Sequence, residues 1–122
     1  MYQSLTIVGN LGADPTLRTL ENGNDVTSFS VADSRKFKTA AGEDREEVTW
    51  VRVAVFGKQA APCAKYLTKG SAVLVEGILS PDENGNPKIW TDKEGKTRAS
   101  YEVRARTVRF LSSKKSEEEV EF

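Results

Sequence analysis

Trp50, Arg52 and Phe56 stand at even spacing in the run Val48–Phe56, VTWVRVAVF. Side chains of an extended strand alternate between two faces. One face therefore carries Thr49, Val51, Val53 and Val55, which is what a strand shows to a core. The other carries Val48, Trp50, Arg52, Ala54 and Phe56, with two large rings spaced around a guanidinium. That set suits stacked bases and their phosphates, because every base has a π-face and every nucleotide a negative charge. A strand buried on both sides, under a helix or a partner subunit, would use the same residues. A surface ion pair of Arg52 with Glu46 or Glu47 is a further alternative use of that residue. Other chemistry-bearing types are sparse. The chain has no histidine and one cysteine, Cys63, which excludes an intrachain disulfide. Its carboxylates are scattered over turns, so no nucleophile–base or metal constellation assembles. Catalysis, a cofactor and a metal are not expected. Gly9, Gly57 and Gly77 read as backbone devices for bends or close strand approach, and no phosphate-loop glycine pattern is present.

A net charge of zero hides a segregation. All eighteen Lys and Arg lie within residues 1–115, beside fourteen Asp and Glu, while the last seven residues hold four Glu and no base. Residues 88–115 carry nine bases against three acids. A basic body fits a polyanionic partner, and an acidic tail fits a different one. The 122 residues make one domain's worth of chain, and no run is long enough to span a membrane. The start, MYQSLTIVGNL, lacks a signal-peptide pattern, so a cytoplasmic location is the expectation.

The elements that must position these residues are short and strand-like: Leu5–Leu11, Val26–Ala32, Val48–Phe56, Ala72–Leu79 and Tyr101–Leu111. Turn chemistry separates them at Gly12 with Asp14-Pro15, at Asn22-Gly23-Asn24, at Ala40-Ala41-Gly42 and at Pro81–Pro87. Asp92–Lys96 reads as one more tight turn, joining short strands around Trp90 and Arg98. A helix is predicted over Pro62–Lys69, with Gly70 as its stop and Ala61, Ala64 and Leu67 on its inner face. Five strands with one helix between the third and fourth predict an all-β fold, a five-stranded Greek-key OB barrel. The ligand face of such barrels is that of strands two and three with their flanking loops. Trp50, Arg52 and Phe56 fall there.

The ordered motifs Val8-Gly9-Asn10-Leu11-Gly12, Asp14-Pro15, Leu17-Arg18, Phe29-Ser30-Val31-Ala32, Thr49-Trp50 and Val55-Phe56-Gly57-Lys58 resemble the bacterial single-stranded DNA-binding protein family. Tyr66-Leu67, Lys69-Gly70-Ser71, Val75-Glu76-Gly77 and Trp90-Thr91-Asp92 continue the resemblance, which covers residues 3 to about 110. It implies an OB domain over residues 1–111 that forms a homotetramer. It also implies sequence-independent binding of single-stranded DNA in replication, recombination and repair. Carried over by position, the stacking aromatics are Trp50, Phe56 and Trp90, with Phe37 where the family often has tryptophan. The phosphate contacts that map are Arg18, Arg52, Lys58 and Lys69. Arg35, Lys36 and Lys38 flank Phe37 in the same way, and Lys88 precedes Trp90 by two residues. Trp90 packed onto the barrel is the competing use of that ring.

Two departures from the family pattern stand out. Ser80–Ile89 is longer than the family's hairpin and would re-aim the loop that presents Trp90. At the other end, a short acidic tail is expected over residues 112–122 where the family has a long Gly-, Pro- and Gln-rich linker. The resemblance makes Glu117, Glu118, Glu119, Val120, Glu121 and Phe122 a tip that recruits replication and repair enzymes. Glu121 stands there in place of a favoured proline. About ten residues of tether reach at most roughly 33–36 Å.

Overall fold

Alternation of apolar and polar residues carries most of this chain into strands. The computed structural model describes residues 1–112, which hold seven strands and one short α-helix. The strands are β1 (Leu5–Leu11), β2 (Thr16–Thr19), β3 (Asp25–Lys38), β4 (Asp44–Phe56), β5 (Ala72–Leu79), β6 (Lys88–Thr91) and β7 (Thr97–Phe110). Helix α1 spans Ala60–Tyr66. Five strands close a barrel in the order β1-β5-β7-β4-β3, and β3 returns to β1. All neighbours are antiparallel except β4 and β7, which run parallel. With α1 between the third and fourth barrel strands, this is the OB order that the element count predicts.

The core fills as the alternation requires. Val51, Val53 and Val55 point inward with Phe29, Val31, Val73, Val75 and Val103, all buried. β1 and β5 match their expected bounds to the residue. β3 and β4 run beyond theirs, because Asp33–Lys38 and Asp44–Glu47 pair as a polar ribbon outside the barrel. A ribbon exposed on both faces has no hydrophobic alternation to announce it. β2 is exposed at all four residues and is unannounced for the same reason.

Four connections share one turn geometry: Leu20–Asn24, Thr39–Glu43, Asp82–Asn86 and Asp92–Lys96. In each, the first residue's N–H donates to the fifth carbonyl, and the fourth N–H donates back to the first carbonyl. The fourth residue is glycine with φ between 82° and 86°. This is the three-residue hairpin loop whose left-handed position glycine fills at no steric cost. The turn clusters in the sequence mark all four.

The helix departs from expectation. A 3-10 turn over Gly57–Gln59 follows β4 directly, so α1 starts two residues before Pro62 and ends at Tyr66 instead of Lys69. Pro62 still lies in the first turn, where its missing N–H costs nothing. The inner face also differs in part: the buried stripe is Ala60, Cys63 and Leu67, with Ala61 exposed and Ala64 half-buried. Leu67 ends the helix in an extended conformation, its N–H bonded to the Cys63 carbonyl. Gly70, with φ 91°, serves the turn that follows and does not stop the helix. Thr27, buried on β3, donates its hydroxyl to the Ala60 carbonyl at 2.5 Å and fixes the helix start to the barrel. Burial pushes the Cys63 thiol up to about 11, so it stays protonated at neutral pH and packs as a small apolar group.

Gly9 and Gly77 sit where strands cross too closely for a side chain. A Cβ on Gly9 would meet the Ala32 carbonyl oxygen and Val31, and one on Gly77 would meet the Arg104 carbonyl oxygen. Gly77 also lies at a bulge in the β5–β7 ladder.

Candidate nucleic-acid interface

The outward face of β4 presents Trp50, Arg52, Ala54 and Phe56. On one side the register sets Ala32, Ser30 and Ser28 of β3 against Trp50, Arg52 and Ala54. On the other, Glu102 and Arg104 of β7 lie beside Arg52 and Ala54. The small β3 residues leave the rings uncovered. Trp50 is 54% exposed and Phe56 44%. Among the described residues no helix covers this face, so they do not bury the strand on both sides. Six residues of extended chain separate the two rings by roughly 20 Å, making them separate platforms.

Trp50 lies over backbone. A Cβ on Gly12 would come within 2.5 Å of its Cζ3 atom, and the Gly12 N–H is itself held by the Ser30 carbonyl at 3.0 Å. The glycine leaves room for the outer edge of the indole against the barrel, while more than half of the residue stays exposed.

Arg52 is the hub. No carboxylate lies within 4 Å of it among the described residues, so an ion pair with Glu46 or Glu47 is not made. It lines a groove of about 760 Å³ with Lys88, Trp90, Glu102 and the turn Pro81–Asn84. It also lines a second groove of about 430 Å³ with Arg18, Ser28, Ser30 and Asp14. The two grooves share the Arg52 side chain. The Ser80–Ile89 segment forms one wall of the first.

β6 and β7 present Trp90. Its indole N–H donates to Ser100 Oγ at 2.7 Å, and the ring is 43% exposed, so it is not buried in the barrel core. Lys88 lies on the same face, two residues away, with its Nζ 3.4 Å from Glu102. The hairpin turn is anchored by Asp92. Its Oδ1 accepts the Glu94 and Lys96 N–H groups, and its Oδ2 accepts Arg98 Nε at 2.9 Å. The Arg98 guanidinium first, then the Lys96 N–H, hold this carboxyl below its ordinary value of 3.8. A lowered value means the ionised anchor favours the folded hairpin. That contribution is present above the ordinary carboxylate value and is lost as pH falls through the lowered one. Asp92→Ala is therefore expected to speed hydrogen exchange at the Trp90 indole N–H at neutral pH. Wild type should show the same loss of protection, relative to free indole at each pH, only in acid below its ordinary carboxylate range, as NMR of the indole signals will show.

The other expected positions divide. Arg18 joins Arg52 in the second groove. Lys69 reaches its rim, because its backbone N–H donates to Asp14 Oδ1 at 2.8 Å. Lys58 is exposed in the turn that follows Phe56. The ribbon is different. Phe37 is 46% exposed, but the register sets it against Arg45, on the pleat face opposite that of Trp50. Arg35, Lys36 and Lys38 stand across from Glu47, Glu46 and Asp44, and Arg35 also pairs with Asp33 at 3.4 Å. Opposite charges across the ribbon offset its bases, so it adds little to the positive field of the groove. Sequence reasoning passed over Gly12, Ser100, Glu102 and Arg104. The parallel pairing of β7 with β4 brings the last three to this face, and no local pattern announces that pairing.

A profile of the single-strand binding protein family matches residues 2–111. The single-stranded DNA-binding protein of Helicobacter hepaticus is 36% identical over 119 residues, 98% of this chain and 66% of that protein. The one from Wolinella succinogenes is 37% identical over 114 residues, 93% of this chain and 67% of that protein. Single-stranded DNA-binding protein 1 of Xylella fastidiosa is 36% identical over 117 residues, 95% of this chain and 82% of its own. The chain thus spans about two thirds of the length of the first two. Among solved structures, the Plasmodium falciparum SSB complex with ssDNA has the same fold. Its TM-score is 0.72 at 22% identity, over 92% of this chain and 96% of that one. Barrel order, open aromatic face and a match that runs from β1 to the end of β7 agree: this chain belongs to the single-strand binding protein family.

Proposed function

We propose that this protein binds single-stranded DNA without sequence preference and acts by binding, not catalysis. Bases stack on Trp50, Phe56 and Trp90, and phosphates are neutralised by Arg18, Arg52, Lys58, Lys69 and Lys88. One observation carries the reading. Among the described residues Arg52 has no carboxylate within 4 Å, and it stands between two exposed rings where two grooves share its side chain. Stacking is tolerant of sequence, because it asks only for a π-face, and each stacked base contributes about 1–3 kcal/mol. Lys88 must leave Glu102, its partner in a half-buried pair, to reach a phosphate. Phe37, Arg35, Lys36 and Lys38 would contribute less, given the acids across the ribbon.

Protection of exposed strands in replication, recombination and repair is the role this activity would serve. A homotetramer is consistent with the outward face of β1 and β5, where Val8 pairs with Leu74 and is 53% exposed, near half-buried Ile78. Recruitment of replication and repair enzymes is assigned to Glu117, Glu118, Glu119, Val120, Glu121 and Phe122. These lie outside the described residues, and the reading rests on their acidic and aromatic composition. Among the described residues no helix is long and apolar enough to cross a membrane.

The test is intrinsic tryptophan fluorescence during titration with poly(dT), with duplex DNA and poly(U) as controls. Deep quenching by poly(dT) is expected, with little response to duplex. Five neutralised phosphates per subunit predict a log–log salt slope of about −3.5. Emission unchanged by every nucleic acid would refute the stacking face and favour a protein-binding adaptor.

A further inference from the structure

Arg104 reaches past Ala54 to Phe56, its guanidinium carbon 5.5 Å from the ring centroid. The parallel register of β4 and β7 makes this possible. It sets Arg104 beside Ala54, so only a methyl group separates it from the ring two residues on. Arg104 is exposed, and no carboxylate lies within 4 Å of it among the described residues. Glu102, two residues away on the same face, is engaged by Lys88 instead. A shallow groove of about 390 Å³ beside the pair is lined by Phe56, Arg104 and Ala105. An exposed guanidinium held over a ring and left without an anion offers two things at once. Its free plane can stack on a second flat group, and its N–H edge can grip a phosphate in bidentate fashion.

We propose that Arg104 is a nucleotide-contacting residue. Its guanidinium, set over Phe56, takes a base on its open side and the adjoining phosphate on its N–H edge. The strand is thereby carried from β4 onto β7. Phenylalanine offers less stacking surface than the tryptophans, and Arg104 enlarges this end of the platform while adding a charge. The inference rests on the single-stranded DNA reading above and deepens it.

The experiment titrates wild type, Arg104→Met and Arg104→Lys with oligo(dT) over a range of NaCl concentrations. Quenching of Trp50 and Trp90 is followed, and each variant's mass is measured by light scattering. Methionine keeps an apolar stem but removes charge and plane, so binding should weaken about tenfold and the salt slope should become shallower by about 0.7. Lysine keeps the charge without the plane, so it should restore the slope but only part of the affinity. Wild-type affinity and slope in Arg104→Met would overturn the proposal, as would a changed mass, which would make Arg104 a subunit contact. Absence of quenching in wild type is the distinct failure of the DNA reading itself, and it removes this inference with it.

Discussion

Trp50→Ala is expected to weaken poly(dT) binding by roughly 5- to 150-fold, the equivalent of one lost base stack of about 1–3 kcal/mol. The ring is 54% exposed and lies on the outward face of β4, so its removal takes little from the core. Thermal unfolding should therefore move little. The salt slope should also hold, because no charge is lost and Arg52 keeps its place two residues away. Titration with poly(dT) at several salt concentrations, beside a thermal melt, reads all three quantities. A lowered melting temperature with affinity intact would return Trp50 to a structural role. Gly12→Val checks the same ring from below. An added side chain meets Cζ3 of Trp50 at 2.5 Å or less, so the indole must swing off the barrel while every polar group of the groove is retained. Loss of affinity in that variant without loss of charge would show that ring position matters as well as ring presence.

Gly9→Val is expected to have the largest effect on stability. The β1–β3 seam that closes the barrel is the thinnest, with only Asn10 opposite Ala32 and Leu11 opposite Val31 in register. Gly9 immediately precedes it, and any Cβ there meets the Ala32 carbonyl oxygen, which is backbone and cannot swing away. Overpacking of well-fitted interiors costs about 1–3 kcal/mol and more where backbone must shift. About 3 kcal/mol is a large share of the 5–15 kcal/mol that typically holds a domain together. A fall in melting temperature of more than about 10 °C is expected by circular dichroism. An unchanged melt would mean that the seam is looser than its register implies.

Local chemistry wrote much of this molecule plainly. Alternation in VTWVRVAVF placed three valines in the core and three potential contacts outside, and the barrel does the same. The four hairpin turns were marked by glycine at the one position that needs a left-handed backbone, and the bounds of β1 and β5 followed from apolar runs ended by polar residues. The helix phase did not follow. A 3-10 turn after Phe56 moved its start, and the barrel buried Ala60 and Cys63 beside Leu67 instead of Ala61 and Ala64. The polar ribbon and β2 were invisible because strands without a buried face carry no period-two signal.

What the sequence determined alone is therefore the parts that depend on near neighbours: strand faces, turn positions, the inventory of rings and bases, and the family to which their order belongs. The tertiary structure decided which of those parts meet. It set β7 parallel to β4, bringing Ser100, Glu102 and Arg104 to the aromatic face. Among the described residues it left Arg52 without an acid, and it set Trp50 beside Gly12 and turned Phe37 to the far side of a ribbon whose acids offset its bases. The physical reason is one of range. Pleating and turn geometry act over a few residues, whereas the partner of Arg104 lies nearly fifty residues away and is chosen only when the barrel closes.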